Sequence, residues 1–426
     1  MLLLLSFLEA FTRVGGGITL TKLIGLLLVI GWFGALATAG PVDRWRRGLL
    51  AGEPWLAASL LLFLAWAAMS LVWATQASNG TSVLLRFALN FTLFPIVLVA
   101  VRRLDDVIWL YVVFVTGALT AAAYGQLHTA SAAAGGRLEG GGLNPNQLGE
   151  VLVVAVVLAA TLAANRRWSP AARVTAFAAA SLAAIALFLT LSRGALIGLG
   201  AALLIAPFAV GRGRRAAALA LATLAVLATV GWFAVIASPS SLQRVTHPAK
   251  AGGSGRETLW KVGWRMFEAH PVNGVGVGNY QVVSIHYLLR PGITTHDQFI
   301  VDTPAQFPPH NIYLNVLSEL GIVGLTLFLA ILGLTLSAAL RAARAFSRRG
   351  DPIGELLARG LFIALTGYLA ALFFSTSLYS KQLWLMLALA PALSAIAERK
   401  TEAGDTRGAR IGVHGASPPP TLGAPA

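Results

Sequence analysis

The sequence predicts an all-α integral membrane protein. Apolar residues make up 57% of the chain and charged residues 12%, and the mean hydropathy is +0.73, values outside the range of a water-soluble core. The apolar runs Leu23–Ala37, Val151–Ala164 and Ile322–Leu340 show no strand alternation. A backbone in lipid must satisfy its own hydrogen bonds, so these runs read as helices and a β-barrel is disfavoured. The chain has no cysteine, which removes disulfides, thiolate chemistry and thiolate metal sites. Met1–Phe11 lacks a basic start and a small-residue cleavage site, so no cleavable signal peptide is expected.

About twelve hydrophobic segments follow in order: 2–12, 18–39, 54–74, 83–100, 107–126, 147–164, 172–190, 195–210, 216–237, 311–340, 356–378 and 382–397. The first is too short to cross a bilayer unaided. The ninth and tenth are separated by the one long polar stretch, Pro239–Pro309. The expected organisation is therefore a helical bundle over 1–237, a large loop over 238–310 and closing helices over 311–398. The residues 399–426, rich in Gly, Pro, Ala and Thr, read as a disordered cytoplasmic tail.

Charge orients the bundle, because Lys and Arg concentrate on the side that is not translocated. Alternate connections are basic: Arg44, Arg46 and Arg47; Arg102 and Arg103; Arg166, Arg167 and Arg173; Arg212, Arg214 and Arg215; Arg341, Arg344, Arg348, Arg349 and Arg359; and Arg399, Lys400, Arg407 and Arg410. The intervening short connections are nearly free of them. This alternation places the long loop, Arg193 and His310 on the external face. The net charge of +15 is then mostly a topology signal and a contact with anionic membrane lipids, and no nucleic-acid partner is needed to explain it.

The cations left outside point to an anionic ligand. They are Arg137, Arg193, Arg244, Lys250, Arg256, Lys261, Arg265 and Arg290. Arg193 lies in Thr190-Leu191-Ser192-Arg193-Gly194, between two apolar helices with almost no loop, so its guanidinium stays near membrane depth. It can snorkel to headgroups; as a fork of fixed geometry it can also hold a phosphate arriving within the lipid plane.

Arg256-Glu257-Thr258-Leu259-Trp260-Lys261-Val262-Gly263-Trp264-Arg265 carries apolar residues at 259, 260, 263, 264 and 267 against charges at 256, 257, 261, 265 and 268. That spacing predicts an amphipathic helix on the membrane or on the bundle, with Lys261 and Arg265 either solvated or facing a ligand. Arg256 opens it, where free backbone N–H groups also attract anions. His270-Pro271-Val272-Asn273-Gly274-Val275-Gly276-Val277-Gly278 closes it; no strand precedes these glycines, which argues against a dinucleotide site.

His310 follows Pro308 and Pro309 and opens the helix Asn311-Ile312-Tyr313-Leu314. At the positive end of a helix dipole a histidine is held neutral and can act as a base; the alternative is that it only caps the helix. His128, His247, His286 and His296 show no metal-binding spacing.

Taken in order, Ser192-Arg193-Gly194, Ser254-Gly255-Arg256 with Trp260, His270-Pro271 with Gly274-x-Gly276, and Pro309-His310-Asn311-x-Tyr313-Leu314 ending in Glu319-x-Gly321-x-x-Gly324 resemble the O-antigen ligase and polymerase superfamily of bacterial envelope proteins. Arg137 with Gly140–Gly142 and Asn144-Pro145-Asn146 resembles its upstream loop element. The resemblance implies a GT-C-like glycosyltransferase in a bacterial inner membrane with its active site on the periplasmic face. It implies an undecaprenyl-diphosphate-linked glycan as donor, no metal or other cofactor, and inversion at the anomeric centre.

Under that resemblance, Arg193 and Arg256 stabilise the leaving diphosphate and His310 deprotonates the acceptor hydroxyl. Arg265, Arg137, Lys261, Asn311 and Tyr313 serve substrate binding. One dominant loop and no added soluble domain favour the ligase, with lipid A–core as acceptor, over the polymerase and the protein O-oligosaccharyltransferase. A polyprenyl-glycan flippase fits less well: Lys22, Arg86 and Glu150 read as lying near span ends, and the sequence shows no internal repeat.

Overall fold

A computed structural model describes residues 2–7, 13–15, 18–38, 52–128, 136–210, 215, 256–289 and 308–413. Among them the chain is mostly helical, with turns between helices and one two-stranded antiparallel ladder, β1 (Arg13–Gly15) with β2 (Ile18–Thr19), in register Arg13 to Thr19 and Gly15 to Ile18. Seven helical stretches are long and apolar enough to cross a membrane: Pro54–Val72, Ala77–Ala100, Leu104–His128, Pro145–Ala163, Pro170–Leu189, Ile312–Arg348 and Pro352–Phe374. Two shorter apolar helices, Leu20–Gly34 and Arg193–Ala209, match the expected segments 18–39 and 195–210. Of segment 2–12 the described part is the five-residue helix Leu2–Ser6 and Phe7. Segment 216–237 and the loop stretches 238–255 and 290–307, with Arg244, Lys250, Arg290, His247 and His296, lie outside the described residues.

Several boundaries differ from the sequence reading. The fourth segment begins at Ala77 instead of 83 and is broken at Thr92 into Ala77–Phe91 and Leu93–Ala100. Pro95 explains the break, because it has no N–H to give to the carbonyl four residues earlier. The earlier start places Arg86 well inside this span rather than near its end. The last helix runs Lys381–Val413, past the expected stop at Glu398; Ala, Glu, Lys and Arg are good helix formers and carry it on into polar sequence.

The helices that position the site are α7 (Pro145–Ala163), α8 (Pro170–Leu189), α9 (Arg193–Ala209), α10 (Arg256–Ala269), α11 (Tyr280–Leu288), α12 (Ile312–Arg348), α13 (Pro352–Ala371) and α14 (Lys381–Val413); the labels α1 to α6 belong to Leu2–Ser6, Leu20–Thr38, Pro54–Met69, Ala77–Phe91, Leu93–Ala100 and Leu104–His128. The core is apolar and aromatic. Trp384 of α14 is fully buried, with Phe87, Phe91, Phe94 and Phe328 around it, and its indole N–H donates to the Leu378 carbonyl at 2.7 Å. Large apolar side chains such as Leu26, Ile30, Leu61, Val174 and Phe177 point outward, as lipid-facing sides do.

Contacts at the helix ends sort the connections into the two sets that the charges define. At one end Arg341 bonds to Glu53, and Arg359 to Glu355 and the Ala209 carbonyl. At the other, Asn279 accepts from the Gln76 N–H at 2.7 Å, and Leu138 donates to the Leu189 carbonyl at 2.9 Å.

Helix α12 is two helices joined at Gly321, whose φ of 67° and ψ of −166° interrupt the ladder. The interruption exposes carbonyls that other segments use. Ser318, Glu319 and Leu320 accept from Val275, Gly276 and the Trp66 indole, and Ile322 donates to Pro271. The glycine-rich turn 271–279 is thereby fastened across the kink, where a Cβ on Gly321 would come 2.1 Å from the Val272 oxygen. Glu319, buried, completes the clasp by accepting from the N–H groups of Gly278 (2.8 Å) and Tyr280 (3.1 Å). This glycine turn is structural.

Candidate active site

Arg193 is the first residue of α9, and Ser192 caps that helix by accepting from the Ala195 N–H at 3.3 Å. The connection from α8 is three residues long and turns at Leu191, whose φ of 48° is left-handed. Two devices hold this turn. Arg137 donates from Nε to the Thr190 carbonyl and from Nη2 to Asn146, both at 2.9 Å, while the Ser192 hydroxyl meets Asn146 Oδ1 at 3.1 Å. Gly149 of α7 lets the turn come close, since a Cβ there would lie 2.8 Å from the Ala195 Cβ and 3.1 Å from that of Ser192. The start of α9 is thus pressed onto α7 beside Glu150.

Arg256 starts α10. The predicted amphipathic helix is present, but its buried stripe is Val262, Gly263 and Met266, and Trp264 is 50% exposed. The cause is the partner surface: Gly263 packs on Leu314 and Tyr280, and Val262 and Met266 join Val283 and Tyr287. Trp260 stacks edge-on against Phe373 at 5.6 Å between centroids and lies 6.0 Å from Phe374, which also meets Gly194. Its indole N–H donates to the Pro309 carbonyl at 2.8 Å. One tryptophan therefore ties the helix that carries Arg256 to the residue before His310.

Asn311, not His310, caps α12: its Oδ1 accepts from the Tyr313 and Leu314 N–H groups at 3.0 and 3.1 Å. His310 precedes the cap with a φ of 50°. A non-glycine residue in this region costs about 1–2 kcal/mol, so the fold holds the imidazole in place against a local preference. Among the non-glycine residues described, Leu191 and His310 are the ones with positive φ, and each stands just before the cap of a helix that opens on the site.

Electrostatics bring the groups together. Burial, and then the Arg193 charge, lower the Arg256 pKa, while Glu150 offsets part of that. Burial and the Arg256 charge hold His310 below the ordinary histidine value. Burial and the neighbouring guanidinium therefore bias the imidazole toward its neutral form.

The cations expected at the site divide into two kinds. Arg137 is spent on the Thr190 turn, and Arg265 donates to the Tyr287 carbonyl at 3.2 Å. Arg193, Arg256 and His310, all half-buried, form no hydrogen bond or ion pair with any described residue. Lys261 is exposed. Tyr313 gives its hydroxyl to the Leu369 carbonyl at 2.8 Å and offers only its ring to a ligand; Asn311 uses its oxygen as the cap.

The segment bearing His310 runs between two cavities. Asn311 and Tyr313 line an open groove of about 650 Å³, walled by Trp260, Trp264, Leu317 and Phe373, with Lys261, Arg265, Glu257 and Glu268 also along it. Pro308 and Ile312 line a smaller polar cavity of about 200 Å³ with Arg86, Gln281, Asn315, Glu319, Ser375 and Thr376. Among the described residues, no group of three or more His, Asp or Glu side chains converges as a metal site would require.

Sequence reasoning missed Glu150. It is 2% exposed on α7, its carboxylate hydrogen-bonds with Ser375 and Ser377 of the α13–α14 connection, and it acts electrostatically on Arg256. The signal in the sequence is a single carboxylate inside an otherwise apolar span, a placement that is expensive in lipid and usually functional.

Residues 178–329 match the family model described as O-antigen ligase, so this part of the chain is similar to that family. The matched stretch contains Arg193, Arg256 and His310. No curated protein matches the chain.

Proposed function

We propose, from the O-antigen ligase family pattern carried by residues 178–329, that this multi-pass membrane protein transfers a glycan from undecaprenyl diphosphate to lipid A–core at the periplasmic face of the bacterial inner membrane. The observation that carries the reading is the pair of half-buried guanidiniums, Arg193 and Arg256, without a hydrogen-bond or ion-pair partner among the described residues and beside an imidazole biased neutral. Two guanidiniums in one site, with Glu150 offsetting only part of their effect on each other, suit an anion of more than one charge. A lipid diphosphate has that charge, and the apolar groove walled by Trp260, Trp264 and Phe373 suits the chain of an amphiphile.

The chemistry follows from the groups present. His310 accepts the proton of the acceptor hydroxyl as that oxygen attacks the anomeric carbon. The bond from that carbon to the diphosphate oxygen breaks, its electron pair stays on the diphosphate, and Arg193 and Arg256 hold the charge that develops there. Direct attack inverts the anomeric centre, and no metal is required in this scheme. The polar cavity beyond Pro308 and Ile312 offers acceptor sugars hydrogen-bonding partners on the opposite side of His310 from the groove.

Purified protein given a polyprenyl-diphosphate glycan and lipid A–core in detergent with EDTA tests this. Glycosylated lipid A–core is expected. Elongation of the donor glycan alone would make the protein a polymerase, and loss of activity on chelation, restored by magnesium or manganese, would overturn the metal-free scheme.

A further inference from the structure

Arg86 has no part in the scheme above, yet it stands inside a membrane span, where a charge is expensive and usually functional. It lies one helical turn beyond Val83, where the apolar part of that span begins. An arginine that only snorkelled would run along its helix to the headgroups. This one is turned onto the protein, its guanidinium carbon 5.8 Å from the centre of the Tyr379 ring. It lines the polar cavity of about 200 Å³ while remaining exposed, so a ligand reaches it without displacing protein.

Glu319 is the other charged group of that cavity. Its two oxygens are occupied by the N–H groups of Gly278 and Tyr280, and no ion pair joins it to Arg86 among the described residues. Arg86 forms no hydrogen bond with a described residue, and its contact with the Tyr379 ring leaves its N–H groups free to donate. Thr376 and Tyr379 line the cavity with hydroxyls that also have no hydrogen-bond partner among the described residues. The carboxylate is thus engaged and the guanidinium is not, and a guanidinium with unused donors suits a ligand carrying anionic oxygens.

We propose that this cavity is an acceptor subsite for an acidic sugar. Arg86 holds a phosphate or carboxylate on the acceptor glycan, and Thr376 and Tyr379 bond its hydroxyls. This rests on the reading of His310 as the base: Pro308 and Ile312, two residues to either side of it, line the same cavity, so a sugar seated there lies against the segment that carries the imidazole. Arg86 belongs to α4, outside the residues 178–329 that match the family model. Discrimination of the acceptor then falls to a different part of the chain from the cations that hold the donor.

Lipid A–core is the probe, bound to full-length protein in detergent without donor and followed by thermophoresis of the labelled protein. Arg86→Gln should weaken binding roughly ten- to hundredfold, the effect of losing a charged hydrogen bond, and Arg86→Lys, which keeps the charge, should weaken it less. With wild-type protein, dephosphorylated lipid A–core should lose a similar factor if the acidic group is a phosphate, and carboxyl-reduced lipid A–core if it is a carboxylate. Arg86→Gln should no longer distinguish the intact acceptor from the form that weakens. Thermal melts identify a variant that fails to fold, and the modified acceptors on wild-type protein then decide alone. Wild-type protein that binds all three forms alike, or folded Arg86→Gln that binds as the wild type does, would overturn this inference and leave the ligase reading standing. Wild-type protein that binds none of the three would overturn both.

Discussion

Trp260 donates its indole N–H to the carbonyl of Pro309 at 2.8 Å, and this bond joins the helix of Arg256 to the segment of His310. The bond joins two residues of the large loop that are 49 positions apart. It matters for the proposed mechanism because Arg256, as leaving-group cation, and His310, as base, belong to elements far apart in sequence, and a proton transfer tolerates little misplacement between them.

Trp260→Phe should keep the aromatic contacts with Phe373 and Phe374 and lose only this hydrogen bond, worth about 1 kcal/mol. The expected result is a fall in kcat of about fivefold with KM for the donor little changed. Steady-state kinetics separate the two, and a rise in KM alone would show that Trp260 binds substrate and does not align the site.

Arg193→Ala and Arg256→Ala should each lower transfer by about 30- to 1000-fold, the effect of losing roughly 2–4 kcal/mol of charged hydrogen bonding in a partly buried site. Lysine at either position should rescue poorly, because a point charge cannot replace the bidentate fork. Arg137→Ala should act differently: its guanidinium is bonded to the Thr190 carbonyl and Asn146, so the loss should appear first in thermal stability. Unchanged melting with abolished transfer would return Arg137 to direct substrate contact.

His310 lies below the ordinary histidine pKa through burial and the Arg256 charge. A base must be unprotonated, so activity is expected to hold down to a pH below about 6.5 and to fall only beneath it. Arg256→Gln removes one of the two causes, so the acid limb of whatever rate remains should move to higher pH, while Arg256→Lys keeps the charge and should leave the limb in place. A pH–rate profile of the three proteins checks this; identical limbs would mean that the imidazole does not set the profile.

Much of the fold was legible because apolar runs and proline positions are local signals. Arg193, Arg256 and His310 could be found for the same reason, each being a polar residue where a helix begins. The distant partners could not. Glu150 meets serines of the α13–α14 connection, Gly321 meets Val272, and Trp260 meets Pro309, and no periodicity encodes contacts of that separation. The stripe of α10 was misassigned because a groove lined by Trp260 and Trp264 accepts apolar side chains that are not packed. His310 was read beside its helix without its φ, so Asn311 went unrecognised as the cap.

The kink at Gly321 is where long-range contacts and the site meet, and it yields the sharpest stability test. A Cβ there would face the Val272 oxygen at 2.1 Å in a backbone conformation that L-residues avoid, so Gly321→Ala must shift either the turn 271–279 or the ends of both half-helices. The expected cost exceeds about 2 kcal/mol. Gly333, on the same helix with nothing within 4 Å of its Cβ position, is the control, since alanine there should be neutral or stabilise by about 0.4–1 kcal/mol. Thermal melts in one detergent compare the two variants. If Gly321→Ala melts like Gly333→Ala, the α12 kink is not needed to hold the turn, and the Val275 and Gly276 bonds to the freed carbonyls contribute little to the fold.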